Sequence, residues 1–493
     1  MNTLKTRTLY AAIALVSLTS CAERPTNVTQ VDTLPEIWPD YVGVMIPKNI
    51  APLNFAMATD DAQAMEVSIA AVNGASIVAR GKEANFDIDE WREMVSQCSD
   101  GDSLTVSVSA KLPDGWVAYK PFGIHVSGDT LAAWGVTYRR IRPGYEVYSK
   151  MGIYERELSS FREKAVFENT EVPNGCVNCH TPCRGSSEDY LFHIRGEKGG
   201  TLFSKKGKTE ILNTVTVKTI GAVTYPAWHP EGRFVAFSVN KTRQSFHQMR
   251  EKRLEVFDMA SDIVMFDSET HSLITTPLLN QTDSCWETFP CFSADGRELF
   301  FCATKPKPVP SAVREIHYTL CKIAFDAEHG QWGEKIDTVA DLSDKGLSIS
   351  FPRTSADGRF LMFTACNYGT FPIWHSEADL WLLDLKSGEP RRMERINSDN
   401  TESFHNWSQD SRWVVLSSRR GDGLFTRLYF AHVDENGVAS KPFLLPQVNP
   451  KEFYLNMMDS YNVPEFVEGE VVIDAKWAGK KVLAGETVGL SAR

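Results

Sequence analysis

Outside its N-terminal region the chain has no apolar run approaching the length needed to cross a bilayer as a helix. It has no excess of positive charge: 52 Lys and Arg stand against 63 Asp and Glu, a net charge of −11, which argues against nucleic acid and against a polybasic membrane patch. Nucleophile-elbow, His-Glu-x-x-His and Walker-type patterns are absent, so no hydrolase triad, metalloprotease helix or phosphate loop can be assembled. Disorder is excluded by composition, with 42% hydrophobic and 23% charged residues. At 493 residues the chain exceeds one ordinary core and implies two or three domains.

What is present begins at the N-terminus. Lys5 and Arg7 precede an apolar run of about ten residues, Leu9 to Leu18, too short to span a membrane. The run ends in Leu18-Thr19-Ser20-Cys21, which resembles the lipobox of bacterial lipoproteins. That resemblance implies a signal peptide over 1–20, lipidation at Cys21, and an exported protein held by its lipid on a membrane of the bacterial cell envelope. Residues 21–35 are polar and rich in Pro and Thr, as suits a tether.

Residues 36–142 read as a β-sandwich-like domain. Short alternating segments such as Leu104-Thr105-Val106-Ser107-Val108 are separated by turn signals such as Asp114-Gly115. One helix is expected near Asp87 to Val95, with Asp87 as its N-cap and Glu90 three residues on. The pattern turns helical around Glu155 to Glu168, so 143–204 is expected to be a short helical segment.

Beyond residue 200 the chain repeats itself. Tyr225-Pro226-Ala227-Trp228-His229-Pro230-Glu231-Gly232-Arg233-Phe234 returns as Phe289-Pro290-Cys291-Phe292-Ser293-Ala294-Asp295-Gly296-Arg297 and as Phe351-Pro352-Arg353-Thr354-Ser355-Ala356-Asp357-Gly358-Arg359-Phe360. A looser copy, His405-Asn406-Trp407-Ser408-Gln409-Asp410-Ser411-Arg412-Trp413, lacks both Pro and Gly. Asp-Gly makes a tight turn, Pro opens the incoming strand, and the apolar run after the turn is a buried strand. Such repeats mean stacking of one supersecondary unit.

These motifs resemble the WD40-like repeats of TolB-type β-propellers over residues 205–465. The resemblance implies a mainly β protein with a C-terminal propeller, and about 260 residues suit six short blades or five longer ones, six being the expectation. Residues 466–493 are left as a C-terminal tail. Taken whole, the chain resembles a family of exported bacterial lipoproteins often labelled cytochrome c biogenesis proteins.

The strongest chemical signal is Cys176-Val177-Asn178-Cys179-His180. Cys-x-x-Cys-His is the attachment signature of a c-type haem, two thiols taking the vinyl groups and the adjacent histidine taking the iron. One covalent haem c is therefore expected, with His180 as proximal ligand. His193, in a stretch where family members similarly carry a histidine, is the candidate for the sixth position; Met151 or an open position are the alternatives. Arg184 and Arg195 are candidates for the haem propionates. Cys183 with Cys176, Cys179 and His180 raises a zinc alternative. Cys291 and Cys302 flank a hairpin and are candidates for pairing across strands. Trp228, His229, His317, His375 and His405 are candidates to line a propeller channel, with blade packing as the competing role.

Three functions follow: a membrane-anchored electron carrier whose propeller docks a protein partner, a TolB-like binding or assembly protein with structural or sensory haem, and a haem enzyme. Eight-bladed cytochrome cd1 nitrite reductases are excluded by length.

Overall fold

Alternation of buried and exposed side chains, the mark of half-buried strands, organises the N-terminal part of the protein. The structure is a computed structural model describing residues 23–142, 150–173, 175–249 and 252–493; Cys21 and the signal region lie outside the described residues. In Ala64–Ala70 every second residue is buried, and this strand pairs antiparallel with both Ser76–Gly81 and Ser103–Leu112 within a seven-stranded sheet. A three-stranded sheet, Ile37–Trp38, Phe55–Met57 and Glu83–Ala84, accompanies it. The expected helix is present as α1, Ile88–Ser96. The Asp87 carboxylate accepts from the amides of Asp89 and Glu90, a cap worth about 1 kcal/mol. Trp91, Met94 and Val95 are buried from this helix, and Trp91 Nε1 donates to the Ile50 carbonyl at 3.0 Å.

From Gly135 onwards the chain forms six sheets, each built on four antiparallel strands, which follow one another in sequence in five of the six. Their first strands are β1 (Cys176–Pro182), β2 (Thr224–Trp228), β3 (Trp286–Phe292), β4 (Ser348–Thr354), β5 (Glu402–Trp407) and β6 (Ser460–Val467). Consecutive first strands touch, and β6 touches β1. β6 reaches its sheet from the far end of the chain: it pairs with Gly135–Ile141, which pairs in turn with Gly152–Glu157 and then Glu163–Glu168. Two short C-terminal strands, Val488–Gly489 and Ser491–Ala492, run parallel to the outer strands of the β1 and β2 sheets and cover their open edges.

Two expectations are corrected. The stretch 143–204 has no α-helix among its described residues; it holds two strands of the β1 sheet and most of a third, two strands of the β6 sheet and one 3-10 turn, Asn169–Glu171. Its charges imitate a helix surface because Gly152–Glu157 is buried on both faces and its ionic groups find partners inside the fold. Glu155 meets Lys164 at 3.0 Å and accepts from the Val471 amide, while Arg156 donates to the Ser160 and Pro446 carbonyls. The repeating sheets also extend past 205–465 at both ends, because the first and sixth copies carry none of the Asp-Gly signal.

The N-terminal sheets share one continuous core with the β4 and β5 sheets. Polar ties cross the same junction: His432 Nε2 lies 2.6 Å from Asp129 Oδ2, and Trp413 Nε1 donates to the Asp129 carbonyl at 3.2 Å.

Candidate functional site

Each of the six first strands carries a β-bulge, and at the bulge one residue adopts the left-handed conformation that bulky side chains avoid. These residues are Cys179, Tyr225, Phe289, Phe351, Phe404 and Val463, with φ between 43° and 54°. The six side chains line one small cavity. Ring centroids lie 4.5 Å apart for Tyr225 and Phe289, 4.1 Å for Phe289 and Phe351, and 4.9 Å for Phe351 and Phe404. Cys179-His180 is thus the β1 copy of Tyr225-Pro226, Phe289-Pro290, Phe351-Pro352, Phe404-His405 and Val463-Pro464.

His180 and His193 are not brought together. On Tyr190–Arg195, Tyr190, Phe192 and Ile194 pack into the core toward the β6 sheet, whereas Leu191 packs toward the β2 sheet. His193 shares the Leu191 side and lies 5.8 Å from the Phe237 ring. His180 stacks on Tyr190, on the opposite side, at 6.2 Å and 24°. It is 1% exposed, and neither ring nitrogen makes a well-formed hydrogen bond, the Thr137 backbone being the polar group that acts on it. Burial pushes its pKa down to about 3, the Thr137 backbone opposing weakly, so the ring is neutral.

The two thiols also diverge. Cys176 Sγ lies 3.4 Å from Arg139 Nη2, which also reaches Met151 Sδ at 3.6 Å; Cys179 Sγ lies 3.3 Å from Thr224 Oγ1 on β2. Covalent haem needs both thiols at the edge of one macrocycle and the histidine against its face. Here the histidine is sealed between sheets, the thiols meet different sheets, and the cavity holding Cys179 and His180 measures about 40 Å³, room for water only. The residues as folded do not fit a haem c, and no chemistry is routed through one.

The zinc alternative is not assembled either. Among the described residues no group of three His, Cys, Asp or Glu is arranged to hold a metal ion, and burial pushes the Cys183 thiol up to about 12. Arg195 Nη2 donates to the Val223 carbonyl at 2.6 Å. The nine described cysteines are unpaired; across β3 and its neighbour, Cys291 faces Phe300 and Cys302 faces Thr288.

Sequence reasoning missed the residues two positions after each left-handed one: Thr181, Ala227, Cys291, Arg353, Asn406 and Glu465. All six line a second cavity of about 150 Å³, which shares Pro226, Arg353 and Glu465 with the first. Three consecutive strands supply its polar side. Arg353 Nη2 lies 3.6 Å from Glu465 Oε1, and Asn406 Nδ2 donates to Glu465 Oε2. Glu465 is 4% exposed; burial raises its pKa to about 7 against the opposing Arg353 charge. Trp228 Nε1 donates to the Thr181 carbonyl and Trp407 Nε1 to the Arg353 carbonyl, which bolts β2 to β1 and β5 to β4. Arg184 lies at the rim of this cavity. Aligning the repeats on their Phe-Pro or Phe-His pairs would have exposed the polar run at the second position.

The remaining histidines do not converge on a channel site. His405 Nε2 bonds the Met362 carbonyl at 3.0 Å and His229 Nε2 the Gly296 carbonyl at 3.2 Å, both packing sheet against sheet. His375 lies between Glu255 at 3.3 Å and Glu377 at 3.1 Å, which raise its pKa against burial. His317 is half-buried with Nδ1 unpartnered.

The chain is therefore a mainly β protein with a recessed site ringed by six equivalent strands. No family model matches the chain, and no curated protein does. Among solved structures it is similar to prolyl oligopeptidase B from Galerina marginata at 9% identity, with 62% of this chain and 44% of that chain covered and a TM-score of 0.34. It is also similar to the periplasmic gluconolactonase of Pseudomonas aeruginosa at 15% identity, covering 67% of this chain and 99% of that chain at a TM-score of 0.33. A DUF4784 family protein from Bacteroides caccae gives 7% identity, 75% and 97% coverage and a TM-score of 0.31. The match spans less than half of the oligopeptidase, and likenesses this weak carry no argument about activity.

Proposed function

We propose that the chain is an exported, lipid-anchored binding protein built on a six-bladed, TolB-like β-propeller, closed by pairing of its C-terminal strand with strands that precede the first blade. The ring of contacts from β1 to β6 supports the propeller reading, and the lipobox-like Leu18-Thr19-Ser20-Cys21 supports the anchor. One observation carries the binding reading. Aromatic side chains fill the ring interior, and beside them a recess combines the buried Glu465 and its half-buried partners Arg353 and Asn406 with an apolar wall that includes Trp228 and Cys291. A preformed recess with a few converging polar groups is the usual form of a binding site. The group it takes offers a donor to Glu465 and an acceptor to Arg353, and brings an apolar body against Trp228.

An electron-carrier role would require haem on Cys176 and Cys179, and the divergence of those thiols and of His180 from His193 weighs against it. Site-specific photo-crosslinkers test the binding reading in cells. A crosslinker at Gln409, on the recess rim, is expected to capture a discrete partner that Glu465→Gln or Arg353→Ala removes, while one at Lys335, on an outer strand, captures none. Equal capture at both positions, or none at Gln409, would contradict the proposal.

A further inference from the structure

The His193-Ile194-Arg195-Gly196-Glu197-Lys198-Gly199-Gly200-Thr201 hairpin forms a second cleft, of about 520 Å³, within the usual range for small-molecule pockets. The tight turn needs its glycines: a Cβ on Gly199 would lie 2.5 Å from the Ile194 carbonyl oxygen, and one on Gly200 would lie 2.6 Å from Ile211 Cγ2. Three features then point to a ligand rather than to packing alone.

First, His193 borders the cleft and is 1% exposed, with Nδ1 engaged by Thr201 Oγ1 at 2.8 Å and Nε2 buried without a partner. The Nδ1–Thr201 contact fits either proton arrangement; in the one in which Thr201 donates its hydroxyl proton, the ring's own proton sits on Nε2 as a buried donor left unsatisfied. Second, Arg195 and Lys198 both line the cleft, and neither forms an ion pair with a carboxylate among the described residues; each is tied only to a backbone carbonyl, Val223 for Arg195 and Leu483 for Lys198. Third, the remaining polar lining, Thr201, Asn213, Thr214 and Thr487, is uncharged, and Glu197 on the exposed turn is its one acid.

We infer that this cleft binds a small anionic molecule through a carboxylate or phosphate group, with Arg195 and Lys198 supplying charge and His193 Nε2–H a buried donor. Bidentate, charge-assisted bonds from a guanidinium suit either oxyanion. This site is independent of the Arg353–Glu465 recess.

The test uses the full chain at constant ionic strength, titrated with inorganic phosphate and, separately, with citrate. Calorimetry is expected to show one saturable site for at least one of them, and the His193 Nε2 resonance should shift in step with occupancy. Lys198→Ala and Arg195→Gln should each weaken binding roughly tenfold or more, as the loss of a charged hydrogen bond implies, while Lys335→Ala, on an outer strand, leaves it unchanged. Lys198 is exposed, so its variant folds even if the Arg195 variant does not. Preference for phosphate or for citrate separates the two ligand sources. Absence of saturable binding, a His193 signal that does not move, or equal affinity in the Lys198 variant would overturn the inference.

Discussion

His180 and His405 occupy the same position in two copies of one strand. Each follows a left-handed residue, Cys179 or Phe404, and each ring is buried beneath the bulge. They differ in how well they are held: His405 Nε2 bonds the Met362 carbonyl at 3.0 Å, whereas neither nitrogen of His180 makes a well-formed hydrogen bond and the Thr137 backbone lies near enough to act on the ring.

That difference predicts opposite responses to Leu. Removing an unsatisfied buried polar group is neutral or stabilising, so His180→Leu should change stability by between zero and about 1 kcal/mol in the stabilising direction. His405→Leu loses a real hydrogen bond, strands the Met362 carbonyl, and should be destabilising by about 1–2 kcal/mol. Urea melts of the two variants check this.

The same two histidines set an acid limit. Burial pushes both to about 3, so the unfolded chain binds protons below about pH 6.5 that the folded chain refuses. Their contribution is fully present above that value and is lost as pH falls towards 3. His180→Leu should flatten this acid slope when midpoints are measured between pH 6.5 and 4.

Glu465 acts in the other direction. Its carboxyl is raised to about 7, so the folded state keeps a proton that the unfolded chain releases near 4.5. Stability therefore falls as pH rises from about 4.5 through 7, and Glu465→Gln should gain on the wild type over that window. A constant difference between the two proteins from pH 5 to 8 would refute the assignment.

Gly296 tests how the sheets interlock. It sits at φ +75° in the turn after β3, and a Cβ there would lie 2.2 Å from His229 Nε2 of the preceding repeat. Gly296→Ala combines a disfavoured backbone with overpacking and should be destabilising by about 2–4 kcal/mol. A melting temperature matching wild type would show that the turn relaxes freely.

Ring closure can be tested by truncation. Without 460–493 the sheet of Gly135–Ile141 loses its first strand, and the outer edges of the β1 and β2 sheets lose their covers. The truncated chain should lose its near-ultraviolet dichroism and resistance to protease.

Much of this arrangement is legible in the chain. Asp-Gly turns announce two copies of the strand and Glu231-Gly232 a third, and the fourth, without Gly, still turns because Ser411 takes the left-handed position at φ +60°. The copies at Cys179-His180 and Val463-Pro464 are hidden, since neither carries the Asp-Gly turn and one carries a stronger, competing pattern. Cys-x-x-Cys-His dominates any reading by residue type, yet side-chain direction decides its chemistry, and a β-bulge reverses direction without altering spacing. Glu465 is silent in sequence because its meaning depends on Arg353, more than a hundred residues away.

The measurement that bears most directly on this account is co-expression of the full chain with cytochrome c maturation machinery, followed by haem staining after denaturing electrophoresis and a reduced absorption spectrum. Because Cys176 and Cys179 lie on β1 with their thiols apart, the account predicts a folded protein without covalent haem, whose melting temperature barely responds to Cys176→Ser. A covalent haem band that disappears in the Cys176→Ser and Cys179→Ser variants would contradict it and restore the electron carrier.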